Sequence, residues 1–204
     1  MINVLKYEAK EKEEIEKQIK EELKCELDEL IIKYEFIEGK LFKSQKYVAS
    51  VIKKEDIKKL IDEVIKTIGQ NMNIVIDNEI LVSDEIYNVT LISNNNSILI
   101  GKEGKTLNAL QTLVRQIVRN KTNTSIKINL DVSNYKIKKM KNIERIVRQV
   151  AKEVKTSKVT VSLDPMNSYE RRYVHTIISE YPELETESVG EGKERHITIK
   201  YKEI

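Results

Sequence analysis

Apolar and polar positions follow regular periods in three successive groups along this 204-residue chain. In the first group, three short runs favour half-buried strands. One longer run repeats Ile15, Ile19 and Leu23 every four positions, which is typical of a helix with a narrow apolar stripe. The pattern therefore predicts a small β-α-β-β unit. Its expected elements are strand 3–8, helix 10–24, strand 29–37, a turn at 38–40 and strand 46–52.

The second group starts with a helical period and then changes to alternation. Ile57, Leu60 and Ile61 share one face of the first expected helix, and Gly69 is placed to end it. Two strands, a short apolar segment, a second long helix and a third strand follow. If the short segment is helical, the order is α-β-β-α-α-β. The expected elements are helix 55–68, strands around 74–76 and 86–91, segment 97–100, helix 105–119 and strand 126–130.

A long helix over residues 134–155 dominates the third group. Its apolar residues step by three and four positions, which places them on one core-facing stripe. After it, Asn167 followed by Glu170 has the form of a helix capping box. The stripe consists of Met140, Ile143, Val147, Val150 and Val154. The remaining expected elements are strand 158–163, helix 168–180 and strands 185–189 and 195–201, the last two joined by a turn at 190–192.

These groups predict an α+β chain of three small α/β domains in tandem, over residues 1–53, 54–132 and 133–204. Hydrophobic residues make up 40% and charged residues 34%, which favours an ordered, soluble protein. The apolar runs are too short to cross a bilayer and the N-terminus lacks a signal-peptide core, so a cytoplasmic location is expected. With only Cys25 and two histidines, we expect no disulfide, metal site or cofactor.

The net charge of +3 hides a strong asymmetry along the chain. Residues 1–40 carry 8 basic and 12 acidic residues, whereas residues 101–160 carry 15 basic and 4 acidic residues. Such a concentration of positive charge attracts polyanions, although many basic surfaces are merely solvated. The middle of the chain is therefore the place to look for a nucleic-acid site.

Two of the chain's six glycines lie in the sequence Gly101-Lys102-Glu103-Gly104, which we call the clamp loop. It stands between an apolar segment and a predicted helix that starts at Lys105. Glycines there let backbone amides approach a phosphate at the positive end of a helix. The pattern favours a clamp for a nucleic-acid backbone. An NTPase P-loop is disfavoured, because Leu99 stands where that motif requires glycine.

Six basic residues step by three and four positions along the side of the long helix opposite its apolar stripe. This spacing could follow a phosphate backbone, and the clamp loop earlier in the sequence favours that interpretation over a solvated lysine face. We call this set the basic ridge. It comprises Lys138, Lys141, Arg145, Arg148, Lys152 and Lys155.

Arg171, Arg172 and His175 form a further candidate, which we call the Arg-His face. Arg171 and His175 lie four residues apart on one predicted helix face, which suits a guanidinium contact to phosphate and an imidazole contact to a base. An arginine and a histidine on a solvent-exposed helix face without a ligand would show the same spacing. A catalytic histidine is disfavoured because no nucleophile or metal cluster accompanies it, so a nuclease ranks third among the functional hypotheses.

From about residue 58 to 201 the chain resembles the Jag family of bacterial RNA-binding proteins, also called SpoIIIJ-associated or KhpB-type proteins. Four blocks in order carry the resemblance. They are residues 100–114, 130–135, 165–175 and 186–192.

The resemblance implies an N-terminal Jag domain, a bacterial-type KH domain and a C-terminal domain named for its Arg-x-x-x-His motif. It implies single-stranded RNA as ligand, a small KH-only partner protein, and a role in post-transcriptional control of cell envelope growth, division or sporulation, with a membrane-insertase or cell-division association. Two positions depart from the family pattern. The expected glycine-rich loop is reduced to Gly39-Lys40-Leu41-Phe42, and Ser168 replaces a usual proline.

The sequence-based hypothesis is a non-catalytic RNA-binding protein in which the clamp loop with Lys105, the basic ridge and the Arg-His face contact one RNA strand. The competing hypothesis is an interaction scaffold that pairs with another KH protein and uses its basic ridge on acidic protein or lipid. Glu103 places a negative charge inside the clamp loop, and its direction matters for the first hypothesis.

Overall fold

The computed structural model describes residues 2–38, 45–83 and 85–202. The chain divides into two compact units, residues 1–133 and 134–204. Helices and strands are mixed in both units, which confirms the predicted α+β class. The predicted boundary between residues 53 and 54 falls inside the first unit, where a strand passes directly into a helix. Three domains in tandem therefore stay a prediction.

The first part of unit 1 is the predicted β-α-β-β arrangement. Strands β1, β3 and β2 form an antiparallel sheet in that order. Helix α1 covers one face of the sheet and buries Ile15 and Ile19 against Tyr7, Ala49 and Val51. The segment Gly39-Lys40-Leu41-Phe42 lies outside the described residues. The elements are β1 (Leu5–Ala9), α1 (Lys12–Leu23), β2 (Leu30–Ile37) and β3 (Lys46–Lys53).

The second part of unit 1 has the order α-β-β-α-α-β, as expected if the short apolar segment is helical. Strand β5 is central and pairs antiparallel with β4 and parallel with β6. The parallel pairing needs a crossover connection, which helices α3 and α4 provide. The elements are α2 (Lys54–Asn71), β4 (Ile76–Ser83), β5 (Ile86–Ser93), α3 (Asn96–Ile100), α4 (Lys105–Thr122) and β6 (Lys127–Val132).

The prediction that Gly69 ends the first helix of this group is wrong. Helix α2 continues to Asn71, and Gly69 lies buried within it. A Cβ atom at Gly69 would stand 2.8 Å from the carbonyl oxygen of Ile74, so the glycine allows the chain after the helix to pack closely. The glycine is needed for close approach and not for a left-handed cap.

Unit 2 packs two helices on one small sheet with strand order β7-β9-β8. Its core contains Val147, Val154, Val174 and Ile199. The predicted strand over residues 158–163 is wrong in extent, because Lys158 takes a left-handed conformation that closes the preceding helix, and only two residues pair. The elements are α5 (Tyr135–Ser157), β7 (Val161–Ser162), α6 (Ser168–Ile178), β8 (Leu184–Val189) and β9 (His196–Tyr201).

None of the helices in the described ranges combines the length and the hydropathy that a membrane span requires.

Candidate nucleic-acid interface

The clamp loop has a backbone that only glycine can form at its first position. Gly101 has φ 67° and ψ −179°, a region essentially restricted to glycine. A Cβ atom there would lie 2.1 Å from Oγ1 of Thr106, in the first turn of α4. Glu103 and Gly104 are also left-handed, with φ of 57° and 81°. The loop is therefore a sharp, specified turn that delivers the chain into α4.

The start of α4 favours an anion. Gly104 occupies the position before the helix, supplies no side-chain cap to the first amides, and is followed by a first turn without acidic residues. Uncapped amides and the helix dipole together make this end positive. Lys102 and Lys105 are both exposed beside it. The structure thus brings the predicted clamp residues of unit 1 together at one helix end.

Glu103 partly neutralises this site. Its side chain is exposed, and its Oε2 atom lies 3.3 Å from Nζ of Lys105. The negative charge that the sequence places inside the clamp loop therefore reduces the positive charge at this helix end, because one of the two lysines beside the loop has an acidic neighbour. The carboxylate lies next to the Lys105 ammonium, on the solvent side of the loop.

Two α4 side chains that sequence reasoning missed hold the helix against the edge strand β6. The backbone amide of Leu130 donates to Oε1 of Gln111 at 2.9 Å, and Nε of Arg115 donates to the carbonyl of Ile128 at 2.6 Å. Both side chains therefore satisfy backbone groups at the open edge of the sheet. Their i, i+4 spacing was visible in the sequence, but the strand that they bind was not. They fix the helix that carries the clamp loop.

The basic ridge is divided by ion pairs. Arg148 donates to both carboxylate oxygens of Glu180, at 2.8 and 3.4 Å, and to Glu144 at 3.0 Å. Lys155 lies 2.7 Å from Glu183. These two cations are therefore partly neutralised within unit 2. The remaining ridge residues are exposed and comprise Lys138, Lys141, Arg145 and Lys152.

The same pairs change the acidity of the carboxyl groups. Hydrogen bonds from Arg148 and then from Tyr173 hold the pKa of Glu144 below its ordinary value. A hydrogen bond from Lys155 likewise lowers the pKa of Glu183. Both carboxylates therefore stay ionised at neutral pH and keep their cations occupied.

Within the Arg-His face, His175 contacts strand β8 and Arg171 contacts the chain that precedes α6. Nδ1 of His175 lies 2.5 Å from Oγ1 of Thr186 on that strand, and Nη1 of Arg171 donates to the carbonyl of Met166 at 2.9 Å. The flank of α6 that meets α5 is a different one, since it carries Tyr173, whose hydroxyl donates to Glu144. The basic ridge and the pair Arg171 and His175 are therefore on different flanks of the helix pair. Arg172 is exposed.

The start of α6 is anchored by a buried carboxylate. Glu170 is 6% exposed and accepts the backbone amide of Asn167 at 3.1 Å, while the side chain of Asn167 accepts the amide of Glu170 at 3.0 Å. This confirms the predicted capping box. Lys139 of α5, which sequence reasoning missed, lies 2.6 Å from the other carboxylate oxygen. The buried carboxylate therefore fixes α6 to α5.

A metal centre has no candidate in the part of the chain that the structure describes, where no group of three or more His, Cys, Asp or Glu side chains could hold an ion.

Comparison with known proteins assigns two stretches of the chain to domain families. Residues 58–131 match the KH domain of KhpA/KhpB, and residues 141–201 match the R-3-H domain, the domain named for its Arg-x-x-x-His motif. The chain is 37% identical over 134 residues to RNA-binding protein KhpB of Clostridium symbiosum, which covers 66% of this chain and 60% of the relative. It is 34% identical over 108 residues to RNA-binding protein KhpB of Bacillus subtilis, which covers 52% of each.

The match thus spans between about half and three fifths of the length of these curated relatives. The two domains occur in the order that the sequence resemblance implied, and both relatives carry the KhpB name. By its KH and Arg-x-x-x-His domains, the chain belongs to the Jag, or KhpB-type, family.

Proposed function

We propose that this protein binds single-stranded RNA without catalysing a reaction. The observation that carries the proposal is the clamp loop, where Gly101, Glu103 and Gly104 adopt positive-φ backbone at an uncapped helix start. This arrangement suits the phosphates of about four nucleotides, as in other KH domains. The names of the relatives and the matches to the KH and Arg-x-x-x-His domains support the same ligand.

Within the clamp loop, Lys102 is the principal side-chain cation. It is exposed, whereas Lys105 has Glu103 as an acidic neighbour. The proposed division of labour is that Gly101 and Gly104 shape the backbone, Lys102 attracts the phosphate, and Lys105 contributes a smaller share. Glu103 needs only to keep its left-handed backbone and its position on the solvent side.

The second contact lies in unit 2. We place it on the Arg-His face and on the exposed ridge residues Lys138, Lys141 and Arg145, with Arg148 contributing less because it is held by Glu144 and Glu180. Two modest sites in one chain bind a single strand with a gain in avidity if the strand spans both. A strand long enough to reach both units is therefore expected to bind more tightly than a short one.

The cellular part of the proposal rests on the family. It comprises a cytoplasmic location, post-transcriptional control of cell envelope growth, division or sporulation, a small KH-only partner, and a membrane-insertase or cell-division association. The KhpA/KhpB type of the KH domain supports the partner. The competing scaffold hypothesis would gain if a protein partner bound normally while RNA did not bind at all.

The test is the double substitution Lys102→Asp and Glu103→Asp in the full chain. Asp tolerates the left-handed backbone at position 103, so the loop is expected to keep its shape. We expect RNA affinity to fall at least about tenfold while the melting temperature stays unchanged. Lys59→Asp, an exposed site on α2 with the same change in charge, is the control and should have little effect. Equal affinities for the two proteins would remove the clamp loop from the proposal.

A further inference from the structure

The hairpin that joins β8 and β9 carries an arginine that no sequence pattern above singled out. Arg195 is exposed, and its Nε atom donates to Oγ of Ser188 on β8 at 3.0 Å. Two residues away on the same face of that strand, Thr186 meets His175 of α6. One side of β8 therefore holds the side chains of a histidine from the helix and an arginine from the hairpin.

The hairpin backbone fixes the position of Arg195. Gly190 has φ +83°, and a Cβ atom there would lie 2.8 Å from the carbonyl oxygen of Glu194. The turn closes with a hydrogen bond from the amide of Glu194 to the carbonyl of Glu191 at 3.1 Å. Only a glycine allows this close return, so Arg195 occupies a defined place directly after the turn.

Met166 connects Arg195 to Arg171. Its amide donates to the carbonyl of Arg195 at 3.1 Å, and its own carbonyl accepts Nη1 of Arg171 at 2.9 Å. Met166 therefore binds the backbone of Arg195 and the side chain of Arg171. Each guanidinium uses one nitrogen within the protein, Nη1 of Arg171 on Met166 and Nε of Arg195 on Ser188. The other guanidinium nitrogens have further N–H donors that a ligand could accept.

Strand alternation removes carboxylates from this side of β8. Thr186 and Ser188 face the helix side, and the intervening Glu187 faces away, where it pairs with Lys200 of β9. Glu191 and Glu194 are acidic neighbours of the cations, but they lie in the turn itself. The helix-side surface of the strand therefore offers hydroxyls, guanidinium groups and an imidazole, a combination that suits phosphate oxygens.

We infer that Arg195 is a phosphate-binding residue and that, with Ser188, it extends the Arg-His face along the helix side of β8. On this surface Arg171, His175 and Arg195 contact successive parts of an extended RNA backbone. The inference rests on the proposed function. The inference goes beyond the proposed function because it places the main RNA contact of unit 2 on the edge strand β8 and not on the basic ridge.

The experiment compares Arg195→Gln with Lys200→Gln in the full chain. Both remove one positive charge from β9 or its preceding turn, but Lys200 lies on the opposite face of the sheet. The measurement is fluorescence anisotropy with a short oligouridylate across a salt series. We expect R195Q to weaken binding about three- to tenfold and to reduce the salt slope by about 0.7, the value for one phosphate contact in a single strand. K200Q should change affinity less than about twofold.

A second variant separates binding from damage to the hairpin. Arg195→Lys keeps the charge but not the planar fork, so we expect it to recover part of the lost affinity. R195Q indistinguishable from K200Q would overturn the inference. So would R195K as weak as R195Q, if both melt below K200Q, because the loss would then come from the hairpin. Failure of the unchanged chain to bind the oligouridylate would instead reject the proposed function and this inference with it.

Discussion

The clamp loop and the basic ridge both attract polyanions, but they are built in different ways. In the clamp loop the backbone itself is specialised, and Gly101 cannot be replaced without a clash with Thr106. In the basic ridge the backbone is an ordinary helix, and only side-chain charge marks it. Part of that charge is neutralised, since Arg148 and Lys155 hold carboxylates of the same unit.

The number of positive residues along a helix therefore overestimates the positive charge that is available to a ligand. The six ridge cations look equivalent in the sequence, yet two of them hold unit 2 together. The clamp loop has fewer cations, but a helix end and a fixed turn act with them. We therefore expect the clamp loop to contribute more to RNA affinity per residue than the basic ridge does.

The largest effect is expected from Gly101→Ala. The methyl group would overlap Oγ1 of Thr106, and the backbone region is closed to alanine, so we expect a loss of about 2–4 kcal/mol in the free energy of unfolding together with most of the RNA affinity. Gly192→Ala is the control, because it has φ +53° but open space around it and should cost only about 1–2 kcal/mol. Urea unfolding measures both. Equal costs would show that the clamp loop is not sterically specified.

Glu170→Gln should destabilise unit 2 by about 2–4 kcal/mol. The single oxygen of an amide cannot replace the two carboxylate oxygens that contact Lys139 and the amide of Asn167, so one of these two contacts to the buried residue would be lost. The exposed Glu185→Gln on β8 serves as the control for loss of one carboxylate. Urea unfolding of both variants measures the free energy of unfolding. If E170Q and E185Q lose the same free energy of unfolding, the buried carboxylate does not anchor α6.

Arg148 and Lys141 should separate stability from binding. Arg148→Gln breaks the pairs with Glu144 and Glu180, so we expect a small fall in melting temperature and little change in RNA affinity. The exposed Lys141→Gln should leave stability unchanged and weaken binding about twofold. Melting curves of both variants measure stability, and fluorescence anisotropy measures their RNA affinity. If R148Q weakened RNA binding more than K141Q and left the melting temperature unchanged, Arg148 would be an RNA contact.

Glu103→Gln should strengthen RNA binding about twofold. The substitution removes the carboxylate beside Lys105, so the clamp loop becomes more positive and attracts phosphate more strongly. Glu63→Gln on α2, also exposed, provides the control for a general change in net charge. Weaker binding of E103Q than of E63Q would mean that the carboxylate helps to hold the RNA.

The smallest effect concerns pH. The pKa values of Glu144 and Glu183 are lowered in the folded protein, so the stability that their pairs provide is present above the ordinary value of 4.5 and is lost as the pH falls below it. We expect the free energy of unfolding to decrease on acidification through this range, and Glu183→Gln to make the decrease shallower. Urea unfolding at a series of pH values tests this. An identical pH profile for E183Q would contradict it.

Local signals in the sequence predicted those features whose cause is also local. The glycine spacing of the clamp loop and the capping box of Asn167 and Glu170 involve residues within a few positions of each other, and the structure shows both. The α-β-β-α-α-β order followed from periodicity for the same reason. The part played by Gly69 depends on Ile74 in the following turn, and a glycine near a helix end resembles a cap.

Features that depend on distant residues could not be predicted. The pairing of Arg148 with Glu180 crosses 32 positions, and the contact of Lys139 with Glu170 also joins two helices. Arg195 stands in a stretch of sequence without a motif, and its importance appears only when the hairpin places it beside Ser188. The RNA contacts of the three basic surfaces stay predictions.

RNA binding itself is best tested by fluorescence anisotropy of the full chain with short single-stranded RNA across a salt series, with single-stranded DNA of the same sequence and duplex RNA as competitors. We expect binding that prefers single-stranded RNA, a clear salt slope, and a loss of affinity in the protein with Lys102→Asp and Glu103→Asp. Equal competition by every polyanion, or no binding at all, would reject the RNA proposal and favour a protein partner as the ligand.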